Sequence, residues 1–97
     1  MATGTIKHIT FDYETSTGTV ARIAANSRTD FIAVNPPVKS GYKALLGIPY
    51  CWNGVITVIT YSAFDFDNGA VRFALQNEAS YQVDEITWSV RWLYVKE

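Results

Sequence analysis

Residues that commonly carry reaction chemistry are scarce in this chain. Among its 97 residues there is one histidine, His8, and one cysteine, Cys51. A single cysteine excludes an internal disulfide framework. One His with one Cys also falls short of the ligand set that zinc requires. A nucleophilic dyad of the same two residues would need them to meet across the fold beside a third, orienting group, and nothing in their positions argues for that. A solvent-facing strand histidine and a buried apolar cysteine are the expected readings. Charge is sparse too, at 18 % of residues with a net value of −1. Arg22, Arg28, Arg72 and Arg91 stand apart, so the basic footprint of nucleic-acid binding is missing. The longest mostly apolar run, Ala44 to Trp52, is broken by Gly47 and Pro49 and is too short to span a bilayer. No charged segment followed by an apolar stretch opens the chain, so no signal peptide is expected.

Strand-forming residues are what the chain has. Hydrophobic residues make up 48 % of it and aromatics 14 %, a load that fits a single folded domain over 1–97. Ile9, Phe11 and Tyr13 alternate with polar neighbours, which predicts a half-buried strand. Glu14 to Gly18 reads as a turn, with a second strand near Thr19 to Ala25 and a short third one in DFIAVN. Pro36 and Pro37 forbid ladder pairing and, with Gly41, bracket a loop. From Tyr42 the even positions Tyr42, Ala44, Leu46, Ile48, Tyr50 and Trp52 predict one continuous apolar face. Asn53-Gly54 is a favoured hairpin pair. Val55 to Phe66 follows, with Val55, Ile59 and Tyr61 on one face and Ile56, Val58, Phe64 and Phe66 on the other. A strand apolar on both sides needs cover on both, and a neighbouring copy of the chain is the expected second cover. Val71, Phe73 and Leu75 mark another strand. The last, from Val83, sets Ile86, Trp88, Val90, Trp92 and Tyr94 against Thr87, Ser89 and Arg91. So apolar a strand is expected at the centre of a sheet, because at an edge it would invite aggregation. About seven strands and no helical periodicity predict an all-β antiparallel sandwich or jelly roll.

The acidic stretch FDFDNG poses the main question of chemistry. A calcium loop needs oxygen ligands at alternate positions and a closing Glu. Asp65 and Asp67 alternate, but no Glu follows before Glu78. Asn68-Gly69 between two strands instead supplies the positive φ angles of a hairpin tip, so the stretch is expected to be a turn, a weak cation site on Asp65 and Asp67 being the lesser alternative; no metal ligand and no cofactor is assigned. Asp65, Asp67, Asp84 and Glu85 could in principle offer the paired carboxylates of glycoside hydrolysis, but acids in turns and at strand starts are expected to be solvated. No catalytic residue is assigned, and no enzymatic activity is expected. Tyr50, Trp52 and Asn53 raise a different chemistry, since aromatic faces stack on sugar rings and an adjacent amide can read hydroxyls. The alternation assigns Tyr50 to the core. Trp52, beside a turn, divides between core or interface and ligand contact. Tyr81, in a polar loop, is the aromatic expected to be exposed. The candidate ligand-binding set is Trp52, Asn53, Asp67, Asn68 and Tyr81.

Two segments carry a family likeness. SGYKALLGI, with Ser40, Gly41, Tyr42, Leu46, Gly47 and Ile48, and the closing VRWLYVK, with Val90, Leu93, Tyr94, Val95 and Lys96, resemble the C-terminal head domain of phage tail and tail-fibre proteins. Such heads are common in phages of Gram-positive gut bacteria. One extra residue interrupts the first motif, and Trp92 stands where the family has a small β-branched residue. The upstream GTVARIAANSRTDFIAVNPPVKSGY is similar to the family's first half. The resemblance implies an antiparallel sandwich, usually a homotrimer, at the tip of a virion tail or fibre and extracellular after release. It further implies attachment to a bacterial surface glycan or protein, with other tail proteins as partners; nucleic acid and membrane insertion have no place in it. The matched residues are core and turn positions, so no binding residue carries over. Two other readings remain open: a structural or assembly protein of a tail or capsid, and a carbohydrate-binding module of a secreted hydrolase.

Overall fold

The computed structural model describes residues 9–51, 57–65 and 68–97. They form six strands and, among the described residues, no helix: β1 (Phe11–Ile23), β2 (Ile32–Val34), β3 (Tyr42–Cys51), β4 (Thr57–Phe64), β5 (Val71–Asn77) and β6 (Val83–Lys96). Two three-stranded antiparallel sheets result, ordered β1-β6-β3 and β2-β5-β4. The aromatic closing strand is central, as its apolar face requires. Ile86, Val90, Trp92 and Tyr94 of β6 meet Val71, Phe73 and Leu75 of β5 in one core, all of them buried.

Six strands replace the expected seven because Glu14 to Gly18 is not a turn. It lies inside β1, with Thr15, Ser16 and Thr17 opposite Arg91, Val90 and Ser89. Thr and Ser serve strand geometry as readily as turns, and the glycine has a packing role. A Cβ on Gly18 would lie 2.1 Å from the Trp88 ring, and one on Gly47 would lie 2.4 Å from Trp92. Both inward indoles of β6 therefore rest on bare backbone of the flanking strands. The Trp92 indole N–H donates to Ser16 Oγ at 2.9 Å, and Trp88 meets Phe73 edge to face at 5.4 Å.

The continuous even face of Tyr42 to Trp52 is also corrected. The β3–β6 register shifts between Ala44 and Leu46, and a bulge of one residue reverses every side chain after it. Ala44 pairs with inward Tyr94, whereas Leu46, Ile48 and Tyr50 fall opposite Leu93, Arg91 and Ser89 on the outer face. Gly47, Pro49 and Cys51 turn inward in their place. A second shift in β4, between Thr60 and Ala63, does the same for the strand expected to be apolar on both sides. Ile59 ahead of the bulge and Phe64 behind it both pack on the core, leaving Val58 and Tyr61 outside. Val55, Ile56 and Phe66 lie outside the described residues.

The β1-β6-β3 sheet is much the longer. β1 and β6 run 13 and 14 residues, β4 and β5 only 8 and 7. Loops close the overhang. At one end Tyr94 donates its hydroxyl proton to the Pro37 carbonyl, and Lys39 binds Asp12 at 2.7 Å and Glu14 at 2.9 Å. At the other end buried Asn77 ties the β1–β2 crossover to the β5–β6 crossover. Its amide donates to the carbonyls of Ile23, Ala24 and Tyr81 at 2.9–3.1 Å, and its oxygen accepts from Ala79 N–H.

Candidate functional site

Of the five residues expected to bind ligand, Trp52, Asn53 and Asp67 lie outside the described residues. The other two are at opposite ends of the shorter sheet. Asn68 is on the turn before β5, and Tyr81 on the turn after it; both are exposed. Asn68 is already engaged locally. Its backbone N–H and its amide donate to the two Asp65 carboxylate oxygens at 3.2 and 2.9 Å. Asp65 N–H donates to Ala70 O at 2.8 Å, and Gly69 has φ +75°. Asp65 and Asn68 thus hold a hairpin tip closed, as the Asn-Gly pair predicts. Of His8 and Cys51 only Cys51 is described; its thiol donates to the Thr87 carbonyl at 3.5 Å, while His8 lies outside the described residues. Among the described residues, no group of three or more His, Cys, Asp and Glu could hold a metal.

The structure brings together a different set. Arg28, Phe31 and Tyr61 converge on the outer face of the β2-β5-β4 sheet. The Arg28 guanidinium lies 4.7 Å from the Tyr61 ring centroid and 5.5 Å from that of Phe31. The two rings meet edge to face at 6.1 Å and 73°. Phe31 remains 60 % exposed and Tyr61 64 %, so the cluster is surface rather than core.

Local structure fixes each member. Thr29 is pinned to β5: its N–H donates to Leu75 O at 2.9 Å, and its hydroxyl accepts from Leu75 N–H at 3.0 Å. Arg28 bridges to Gln76 beside it. Ile32 pairs with inward Phe73, so Phe31, one residue earlier, has the outward parity. Continuing that register sets Phe31 beside Ala74 on one side, while Thr60 pairs with Ala74 on the other. Ala74 has no exposed surface although it points outward, and its small side chain leaves room for rings from both flanking strands. Tyr61 reaches the cluster through the β4 bulge, at φ +54°. A left-handed backbone at a non-glycine residue costs about 1–2 kcal/mol, and strain of this kind concentrates at functional sites.

Such a cluster offers contacts suited to binding. It presents two aromatic rings and one guanidinium. At the closed end of the fold Lys39 pairs with Asp12 and Glu14. Those pairs hold the Asp12 carboxyl below its usual range and raise the Lys39 ammonium. Burial, with Glu14 adding, raises the Tyr94 phenol. All three groups belong to the closed end of the fold, away from the cluster.

Alternation in the sequence places Tyr61 on an apolar strand face and Phe31 in a short strand, and so does not bring the cluster together. The available signal was Phe31 beside Ile32, two large apolar residues that a single-faced strand cannot both bury. No family model matches the chain, and neither the curated proteins nor the solved structures contain a match.

Proposed function

We propose that this chain is a non-enzymatic adhesion module associated with a phage tail, and that the Arg28–Phe31–Tyr61 cluster is its contact for a host-surface glycan. The carrying observation is the pair of exposed rings under one guanidinium, with Tyr61 kept in a strained conformation. Sugar rings stack on aromatic faces, and a fixed guanidinium pairs with hydroxyls or with the carboxylate of an acidic sugar. The motifs around Ser40–Ile48 and Val90–Lys96 support the phage-head reading. The strand order also fits it: the chain alternates between sheets through β1, β2, β3 and β4 and returns through β5 and β6, as a shortened jelly roll does. A homotrimer of such heads, mounted on other tail proteins at the tail tip or fibre, would hold several weak sites together and gain avidity. Tyr81 and the turn residues Trp52, Asn53, Asp67 and Asn68 are secondary contacts in this proposal. A glycan array probed with wild type and Arg28→Ala tests it. Binding of defined glycans that weakens at least tenfold in the variant supports the reading; no binding, or equal binding, contradicts it.

A second reading has its own observation. The outer face of the longer sheet exposes a broad apolar surface, which suits a structural virion protein built mainly for assembly. That reading predicts that Arg28→Ala leaves host attachment intact while substitutions on the outer face abolish particle assembly.

A further inference from the structure

The β1-β6-β3 sheet has a second face that the core does not use. Its side chains form cross-strand rows: Phe11, Val95 and Lys43; Tyr13, Leu93 and Leu46; Thr15, Arg91 and Ile48; Thr17, Ser89 and Tyr50. No carboxylate stands in these rows. Phe11 is 50 % exposed, Tyr13 60 % and Ile48 59 %, with Tyr50, Leu93, Val95 and Leu46 partly open beside them. A Phe or Tyr side chain buries roughly 150–250 Å², so these exposures leave on the order of 600 Å² of apolar area on one face of the sheet. That is at the upper limit of about 300–600 Å² for the largest patch on an ordinary monomer.

We infer that this face packs against other copies of the chain. The inference rests on the assembly part of the proposed function and names its surface, replacing the doubly apolar β4 as the place where copies meet. The area is what selects the occupant. A stable interface takes about 800 Å² from each partner, and the apolar patch with its Thr15, Thr17, Thr19, Thr87 and Lys43 surround reaches that size. The layout is that of an interface, with an apolar centre and a hydroxyl-rich rim. Arg91, the charge nearest the middle, is already drawn over the Tyr13 ring, 6.0 Å from its centroid. A cation on an aromatic face gains strength as water leaves, so enclosing Arg91 does not strand it.

Light scattering on the full chain across the micromolar range, with Ile48→Glu and Tyr13→Ser alongside, tests this. We expect a wild-type mass of two or more chains, and variants that are monomeric with at least a hundredfold weaker association and unchanged circular dichroism. Tyr13→Ser covers the case in which Ile48→Glu does not fold. Val38→Glu, on a fully exposed loop position, is expected to keep the assembly. A wild-type monomer throughout the range overturns the inference, and so does a Tyr13→Ser variant that assembles as wild type does. The glycan array separates the two proposals, because a folded monomeric variant keeps the Arg28–Phe31–Tyr61 site and loses only avidity. A second virion protein as occupant would show as a monomeric wild type that other tail components capture through this face, which equally overturns pairing between copies.

Discussion

Gly18 and Trp88 face each other across β1 and β6, and the indole lies where a Cβ on the glycine would have to go, its Cζ2 carbon 2.1 Å from that position. The same arrangement recurs between Gly47 and Trp92 on the other side of the central strand. Trp88 is half-buried and can tilt outward, whereas Trp92 has no exposed surface and Val71 crowds the same spot. Gly47→Ala is therefore expected to destabilise by about 2–3 kcal/mol, and Gly18→Ala by about 1 kcal/mol, within the range for overpacked cores. Gly41, at φ +79° with open space around it, isolates the conformational cost; there Ala costs about 1 kcal/mol from backbone strain alone. Urea unfolding of the three variants gives the ranking, and equal losses at all three would refute the packing argument.

Asn77 joins the β1–β2 and β5–β6 crossovers. Asn77→Ala leaves the Ile23, Ala24 and Tyr81 carbonyls and the Ala79 N–H without their partner. At about 1–3 kcal/mol for each buried group left unpaired, a loss of about 3 kcal/mol is expected even if water recovers some of them. Asn77→Asp is expected to be worse, because its carboxylate would face carbonyl oxygens with nothing to donate. Thermal melts check the order.

Thr57 carries the one buried side-chain oxygen without a hydrogen-bond partner among the described residues. Thr57→Val keeps the shape and removes the unpaired hydroxyl. It is expected to stabilise by about 1 kcal/mol, read as a higher urea midpoint at unchanged slope.

The Lys39 clip and Tyr94 set the pH range of stability. Asp12 is depressed below its ordinary 3.8, so its contribution is present above that value and lost as pH falls through its folded value. Tyr94 is raised above 10.0 and Lys39 above 10.5, so their contributions are complete below those values and lost as pH rises through the folded ones. Stability attributable to this end is thus flat between about pH 4 and 10 and falls on either side. Lys39→Met should shrink the acid-side dependence that Asp12 carries, the Tyr13 N–H bond to Asp12 keeping the remainder, while leaving Tyr94's alkaline limb, as denaturation across pH would show.

The sequence made the all-β class, the central place of Val83–Lys96 and the Asn68-Gly69 hairpin legible, because alternation and turn chemistry are local signals. What it concealed was parity. The bulges after Ala44 and Thr60 each add a residue to one strand, and no local propensity marks them. They move Ile48 and Tyr50 from the expected core to the outer face and let Ile59 and Phe64 share the inner one. Gly18 looked like a turn because its reason for being glycine is Trp88, 70 residues away in sequence. The Arg28–Phe31–Tyr61 site was hidden for the same reason, since its rings come from segments on opposite sides of β5.

Host-cell binding by wild type and Tyr61→Gly tests the adhesive account most directly. Glycine relieves the left-handed strain of about 1–2 kcal/mol and gives up ring contacts of about 0.5–1.5 kcal/mol, so the melting curve should barely move. The account predicts that labelled wild type binds cells of a Gram-positive host panel and that Tyr61→Gly binds at least tenfold more weakly. Equal binding by the two proteins, or none by wild type to any strain, would contradict it.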